Sequence, residues 1–311
     1  MGLGASADAG APGPDYGRPM TPQPTVERTR LLRGTGLAER REQVAGTSTA
    51  ILEAGSGSPL ILLHGGIECG GVYWAPVVAH LAEQRRLVVP DLPGLGESAP
   101  ARQLDTGTFA NWLGALVSAT CEEPPILVAH SLLGSLAVRF AAERGDSLRS
   151  LLVYAAPGVG PYRMPSGLVY AAIRFGLRPS RRNSERFDRW AFFDLEQARG
   201  RDTGWFEAWS RYTMSRARIP HVKRTMRQLI SRGRKRVVDD VLDQIEVPTT
   251  LLWGRHDRFV PLAVAEHAGK RIGWPLRVID RTGHVPHIER PESFLRILLE
   301  TIDSQPNRSA A

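Results

Sequence analysis

Ser131 is the residue of this chain whose surroundings are best suited to chemistry. An apolar run, Ile126 to Ala129, closes just before it, and a helix-like run, Leu132 to Glu143, starts at once after it. No Pro, Asn or Asp cluster separates the two, so a strand must turn straight into a helix and push the residue at the apex outward. A serine hydroxyl is a weak nucleophile. It reacts where a base reaches it from one side and substrate from the other. The backbone N–H after the serine then points toward the reacting oxygen, at the positive end of the new helix.

Positioning such a serine takes a rigid frame, and the apolar runs outline one. Arg40 to Ala54 reads as two short strands around Gly46. Leu60 to Leu63 is a short buried strand ending in His64-Gly65-Gly66. Tyr73 to Gln84 has helical spacing. Arg86 to Pro90 is a strand ending in Asp91-Leu92-Pro93-Gly94-Leu95-Gly96-Glu97-Ser98, and a helix follows over Thr108 to Cys121. Leu148 to Ala155 is a further strand. After a long interval, Thr249 to Trp253 is a strand with Asp257 just beyond it. A helix near Leu262 to Arg271, a strand at Leu276 to Ile279 and a helix over Pro291 to Ile302 complete the pattern. Continuous apolar strands alternating with helices imply a mostly parallel sheet of about eight strands, covered on both faces. In such a sheet the strand C-termini share one edge, so the loops carrying Gly66, Ser131, Asp257 and His284 can meet there.

The alternation breaks at Ala156-Pro157-Gly158. From there to about Asp243 no strand is expected, and Trp190, Phe192, Phe193, Trp205, Phe206 and Trp209 recur at helical spacings. The expected division is a tail over 1–41, an α/β core over 42–157 and 244–303, a helical cap over 158–243, and a tail over 304–311.

The order Ser131, Asp257, His284 and the runs around them resemble the α/β-hydrolase superfamily. The strongest matches are Asp91 to Ser98 and Gly283 to Phe294, with Leu127 to Gly134 as a nucleophile elbow and a similar glycine run over His64 to Gly71. The resemblance covers about Ala45 to Asp303. It is closest in kind to bacterial hydrolases with an HGG loop, including meta-cleavage product (carbon–carbon bond) hydrolases and relatives acting on esters and lactones. It implies Ser131 as nucleophile, His284 as general base and Asp257 as the carboxylate that orients the imidazole. It also implies an oxyanion hole from the N–H groups of Gly66 and Leu132. Gly65, Tyr73, Trp74 and His130 are expected to line the substrate site. In this superfamily small residues flank the nucleophile at two before and two after. Ala129 fits, Leu133 does not, and Gly134 comes one place late. The resemblance implies cleavage of an ester, thioester, lactone or activated C–C bond, without a cofactor. A serine nucleophile sets the chain apart from the dehalogenase and epoxide-hydrolase relatives, which use a carboxylate there.

Read one at a time, these residues also have plain structural roles: His284 as a turn histidine, Asp257 as a helix cap. His64 and His130 read as motif-bound residues near the site, and His80, His221 and His267 as surface or satisfied histidines. His287 stands three residues from His284, but no third ligand and no HExxH accompany the pair, so no metal site is expected. The glycine run lacks GxGxxG and Gly-Lys-Ser/Thr, which excludes the phosphate-loop readings.

Composition narrows the classes further. The chain has 311 residues, 42% hydrophobic and 23% charged, which is ordinary for a globular protein. No apolar run approaches the roughly 20 residues of a membrane helix. Met1 to Pro24 is rich in Gly, Ala and Pro and lacks the apolar core of a secretory signal. Met1-Gly2-Leu3-Gly4-Ala5-Ser6 fits the myristoylation pattern, with a low-complexity start as the plainer reading. Cys69 and Cys121 are the only cysteines. They make no disulfide framework, so a cytoplasmic location is expected. The net charge is +8, but residues 160–236 hold 19 Lys/Arg against 6 Asp/Glu, a net of +13, leaving −5 for the rest. The basic stretch suggests an anionic small-molecule substrate or a carrier-bound acyl group.

Two other classes share these features. One is a non-hydrolytic binding or scaffold use of the fold, favoured by Leu133 at the elbow. The other is a nucleic-acid binder using Arg181-Arg182 and Arg232 to Arg236. The uneven split of charge argues against a chain-wide nucleic-acid surface.

Overall fold

Residues 25–304 are described by the computed structural model, and eight strands within them form one sheet. A short helix, α1 (Val26–Leu32), precedes β1 (Ala38–Val44). The turn Ala45-Gly46, with φ of 46° and 76°, folds β2 (Thr47–Ala54) back on β1. Positive φ at both turn residues matches the twist of an antiparallel hairpin. Next come β3 (Pro59–Leu63), α2 (Ala75–Ala82), β4 (Arg86–Pro90), α3 (Thr106–Thr120), β5 (Ile126–His130), α4 (Ser131–Arg144) and β6 (Ser150–Tyr154). Six helices follow without a strand: α5 (Ser166–Leu177), α6 (Arg181–Ala191), α7 (Leu195–Arg201), α8 (Thr203–Ala217), α9 (Pro220–Gly233) and α10 (Asp239–Asp243). The sheet resumes with β7 (Thr249–Gly254), α11 (Leu262–Ile272) and β8 (Leu276–Ile279), and the chain ends on α12 (Pro286–Glu289) and α13 (Pro291–Asp303).

The sheet order is β1-β2-β4-β3-β5-β6-β7-β8. β2 runs antiparallel to β1 and β4, and every pairing among β3 to β8 is parallel. β3, β5, β6 and β7 are buried along their whole length, which is why they read as unbroken apolar runs. From β3 the chain steps outward to β4, then crosses back to β5 on the other side of β3. Strand order therefore reverses at β3 and β5. The crevice beyond the carboxyl ends of two such strands is where open α/β sheets bind ligands.

The expected tail over 1–41 needs correction. Residues 26–32 are helical, and β1 starts at Ala38. The cause is Arg28, which is fully buried. Its guanidinium reaches Glu39 at 2.6 Å and Asp91 at 3.0 Å, and donates to the Tyr212 hydroxyl at 3.3 Å. Burial alone opposes its charge, but Asp91, Tyr212 and Glu39 outweigh that and hold the guanidinium firmly charged. Asp91 also accepts the N–H of Gly71 at 2.5 Å and of Glu97 at 2.7 Å. Tyr212 on α8 donates in turn to Glu97 at 2.7 Å. One buried ionic cluster thus ties α1, the loop after β4 and the helical insertion together. The pattern Met1 to Ser6 and the tail beyond 304 lie outside the described residues.

Candidate active site

Each candidate residue sits where a strand stops. Ser131 ends β5 with φ of 53°, in the left-handed region that a serine adopts only under constraint. The constraint is the sharp turn from strand to helix, which leaves no room for a gentler bend. The close approach expected at position 133 falls at Gly134 instead. A Cβ there would come within 2.8 Å of the Ala129 carbonyl oxygen and 2.9 Å of the Ala156 Cβ. Leu133 is fully buried in the hydrophobic core and does not line the cavity at Ser131.

His284 Nε2 lies 2.9 Å from Ser131 Oγ, and His284 Nδ1 lies 2.8 Å from Asp257 Oδ2. The other oxygen of Asp257 accepts the N–H groups of Phe259 at 2.7 Å and Val260 at 2.8 Å. Both partners of the imidazole are therefore fixed. The Phe259 ring stacks on the His284 ring at 4.6 Å and 14°, shielding it from water. The loop carrying His284 is held as well. His284 N–H donates to Ala191 O at 2.6 Å, and Glu289 accepts Gly283 N–H at 2.6 Å and Phe193 N–H at 2.7 Å. Burial pushes the Glu289 carboxyl up to about 7, against the pull of those backbone donors. The charge geometry allows His284 to take the Ser131 proton while Asp257 steadies the imidazolium.

Gly66 has φ of 74°, which suits glycine at the mouth of β3. Its N–H lies 3.3 Å from His64 Nδ1, while Leu92 N–H lies 3.2 Å from His64 Nε2. Burial holds His64 neutral, down to about 3, and a neutral imidazole has one acceptor nitrogen. Leu92 is fully buried away from the cavity, whereas Gly66 lines it. A neutral ring accepts one of the two N–H groups at a time, and Gly66 is the one that also faces the cavity. Leu132, at the start of α4, has an N–H with no partner within the helix.

A cavity of about 120 Å³ opens on Ser131 and His284. Gly65, Gly66, Tyr73, His130 and Leu132 line it. Trp74 does not: it points into the core, 4.7 Å from the His287 ring and 6.0 Å from Phe294. Tyr73 and Trp74 belong to a tight 3₁₀ turn over Gly70–Trp74, where neighbours diverge by about 120°. His130 receives Tyr73 and sits 3.0 Å from the His284 carbonyl oxygen; burial, then the nearby His284 and His287, keep it neutral. His287 lies in the core with its Nδ1 3.1 Å from the Tyr154 hydroxyl. Among the described residues no group of His, Cys, Asp and Glu is arranged to hold a metal.

The insertion supplies the rest of the wall through Met164, Leu168, Phe187, Phe192, Trp209 and Met226. Two carboxyls unmarked in the sequence also face this cavity, Glu68 and Asp188. Burial pushes each up to about 7; for Asp188 the neighbouring Glu68 adds to it. Among the described residues no arginine or lysine lines the cavity. The arginines of the insertion lie elsewhere, several paired with carboxylates, as Arg181 is with Glu185 and Arg211 with Glu207.

A model of the alpha/beta hydrolase family matches residues 60–297. The chain is 27% identical over 266 residues to a 2-hydroxy-6-oxo-2,4-heptadienoate hydrolase of Pseudomonas putida, covering 81% of this chain and 92% of that one. It is 27% identical over 264 residues to a pimeloyl-[acyl-carrier protein] methyl ester esterase of Aeromonas hydrophila, covering 81% and 98%. The solved structure of a 2-hydroxy-6-oxo-6-phenylhexa-2,4-dienoate hydrolase from a Rhodococcus species superposes with a TM-score of 0.75 at 22% identity, covering 86% and 99%.

Proposed function

The chain belongs to the alpha/beta hydrolase family and is a hydrolase, and from that premise we propose that it works through Ser131, with His284 as general base and Asp257 as its orienting carboxylate. The reading is carried by His284, whose two ring nitrogens lie within hydrogen-bond reach of Ser131 and Asp257 at the foot of a mostly apolar cavity. As Ser131 Oγ attacks a carbonyl carbon, its proton passes to His284 Nε2. The oxygen of the tetrahedral adduct takes hydrogen bonds from Gly66 and Leu132 N–H. Each such donor is worth on the order of 3 kcal/mol of barrier. The adduct collapses, the leaving group takes the proton from His284, and water repeats the sequence on the acyl-enzyme.

The bond cleaved is an ester, thioester, lactone or activated C–C bond. The two relatives named above are a heptadienoate hydrolase and a methyl ester esterase. The part of the substrate that enters the cavity is largely apolar and carries no negative charge, because apolar side chains of the insertion and two carboxyls face it and no cation does among the described residues. An anionic group or acyl carrier, if the substrate has one, stays outside near the arginines of the insertion. Helices α5 to α9 serve as a cap whose inner side chains select the substrate. The unpaired Cys69 and Cys121 suit a reducing cytoplasm.

A fluorophosphonate probe tests the nucleophile: wild type is labelled and Ser131→Ala is not. Labelling of both would remove Ser131 from the role. A panel of acyl p-nitrophenyl esters, lactones and acyl thioesters then sorts the bond class.

A further inference from the structure

Helix α5 has two apolar faces. Leu168 and Ala172 on its inner side line the cavity at Ser131. On its outer side Val169 is 37% exposed, Tyr170 54%, Ile173 54% and Leu177 77%. At 3.6 residues per turn these four fall within an arc of about 100°. They are the majority of the large apolar side chains exposed among the described residues. A contiguous exposed apolar strip on a soluble domain marks a surface that something covers.

Charge around the strip has one sign. No Asp or Glu occurs between Asp146 and Glu185, while Arg163, Arg174, Arg178, Arg181 and Arg182 do. All five are exposed. Only Arg181 has a carboxylate partner, Glu185 at 3.2 Å. Arg186 lies over the Tyr170 ring at 5.6 Å. The strip is also convex, a single helix standing on the cap, with its backbone bonds satisfied internally. It offers no groove and no directional hydrogen bonds for a folded partner to read.

We propose that the outer face of α5 docks on an anionic lipid surface. Val169, Tyr170, Ile173 and Leu177 insert among the acyl chains, and the arginines hold the phosphates while their stems stay with the apolar face. The helix lies on the surface and does not cross it; no helix among the described residues is long and apolar enough to span a bilayer. Docking there puts the membrane one helix thickness from the cavity, on the side where Leu168 and Ala172 form the wall. The docking stands on this surface alone and does not depend on the chemistry at Ser131.

The test is sedimentation of the full chain with vesicles of phosphatidylcholine alone or mixed with phosphatidylglycerol. Wild type should pellet with the mixed vesicles and release in high salt. Ile173→Asp/Leu177→Asp should lose about tenfold or more in vesicle affinity. Arg174→Gln/Arg178→Gln should lose roughly fivefold per arginine on the anionic vesicles and little on the neutral ones. Turnover of a soluble short-chain ester by the same variants reports that they are folded, since none of the four residues lines the cavity. Three results would each overturn the proposal. One is wild type that stays in the supernatant with both vesicles at low salt. Another is variants that pellet as wild type does. The third is a wild-type dimer that Ile173→Asp/Leu177→Asp returns to monomer without any change in vesicle binding.

Discussion

The Glu289 carboxylate accepts the backbone N–H of Gly283 at 2.6 Å, one residue before His284. Its second oxygen holds Phe193 N–H at 2.7 Å and Asp194 N–H at 3.3 Å, at the end of α6. One side chain therefore clasps the base-bearing loop to the helical insertion. Glu289→Gln keeps the shape but turns one acceptor into a donor facing an N–H. We expect kcat to fall about 10- to 100-fold with a smaller change in KM, and stability to fall by about 1–3 kcal/mol. Steady-state kinetics beside urea denaturation separate the two effects. Equal losses in folding and rate, with the remaining folded protein fully active, would reduce Glu289 to a structural tie.

Ser131 separates function from stability. Its φ of 53° costs a serine about 1–2 kcal/mol and costs a glycine almost nothing. Ser131→Gly should be inactive and yet more stable than wild type by about 1 kcal/mol, while Ser131→Ala should be inactive and gain nothing. The loss of turnover in both should be on the order of 10⁴ or more, since members of a triad act as a unit. A Ser131→Gly protein that melts below wild type would mean the backbone there is not strained.

The strands are legible in the sequence because the central parallel ones, β3, β5, β6 and β7, are buried along their whole length and so largely apolar. The candidate site is legible because Ser131, Asp257 and His284 each follow a strand end. Arg28 is hidden because a seven-residue helix carrying two arginines and a glutamate looks solvated. Its partners Glu39 and Asp91 stand 11 and 63 positions away. Glu68 and Asp188 are hidden for the same reason: a carboxyl on a loop or a charged helix reads as surface until the helical insertion is seen packed over it. Tyr73 and Trp74 could not be told apart, since adjacent residues in a tight turn point to different compartments.

Buried carboxyls give the protein a pH-dependent stability of unusual sign. Burial pushes Glu68 and Asp188 each up to about 7, above the ordinary value of an unfolded chain. The folded state thus binds protons more tightly, and the stabilisation is complete below the unfolded value and lost as pH rises through about 7. Glu289 adds to the same slope. Unfolding free energies from urea titrations should fall between about pH 5.5 and about pH 8, by on the order of 2 kcal/mol per carboxyl. Glu68→Gln/Asp188→Asn should flatten most of that slope. A midpoint that rises over this range would mean the two carboxyls are ionised and paired.

Removing Arg28 should be costly out of proportion to its distance from Ser131. Arg28→Met leaves Asp91 buried without its cation, a loss of about 3–5 kcal/mol. Adding Asp91→Asn removes the stranded charge and should restore part of the loss. A double-mutant cycle from thermal melts measures it. Simple additivity of the two changes would mean the pair is not coupled.

Gly65 and His130 meet at the cavity so closely that a Cβ on Gly65 would come within 2.3 Å of His130 Nδ1. The two positions behave as one heritable unit. A methyl group at 65 is admissible only after the ring at 130 has been replaced by something smaller. That replacement would also release Tyr73 and the contact with the His284 carbonyl oxygen. No single step leads away from this pairing without a damaged intermediate. Laboratory evolution of a new substrate range should therefore leave 65 and 130 untouched and find its changes among the cap residues, where each side chain can be exchanged on its own.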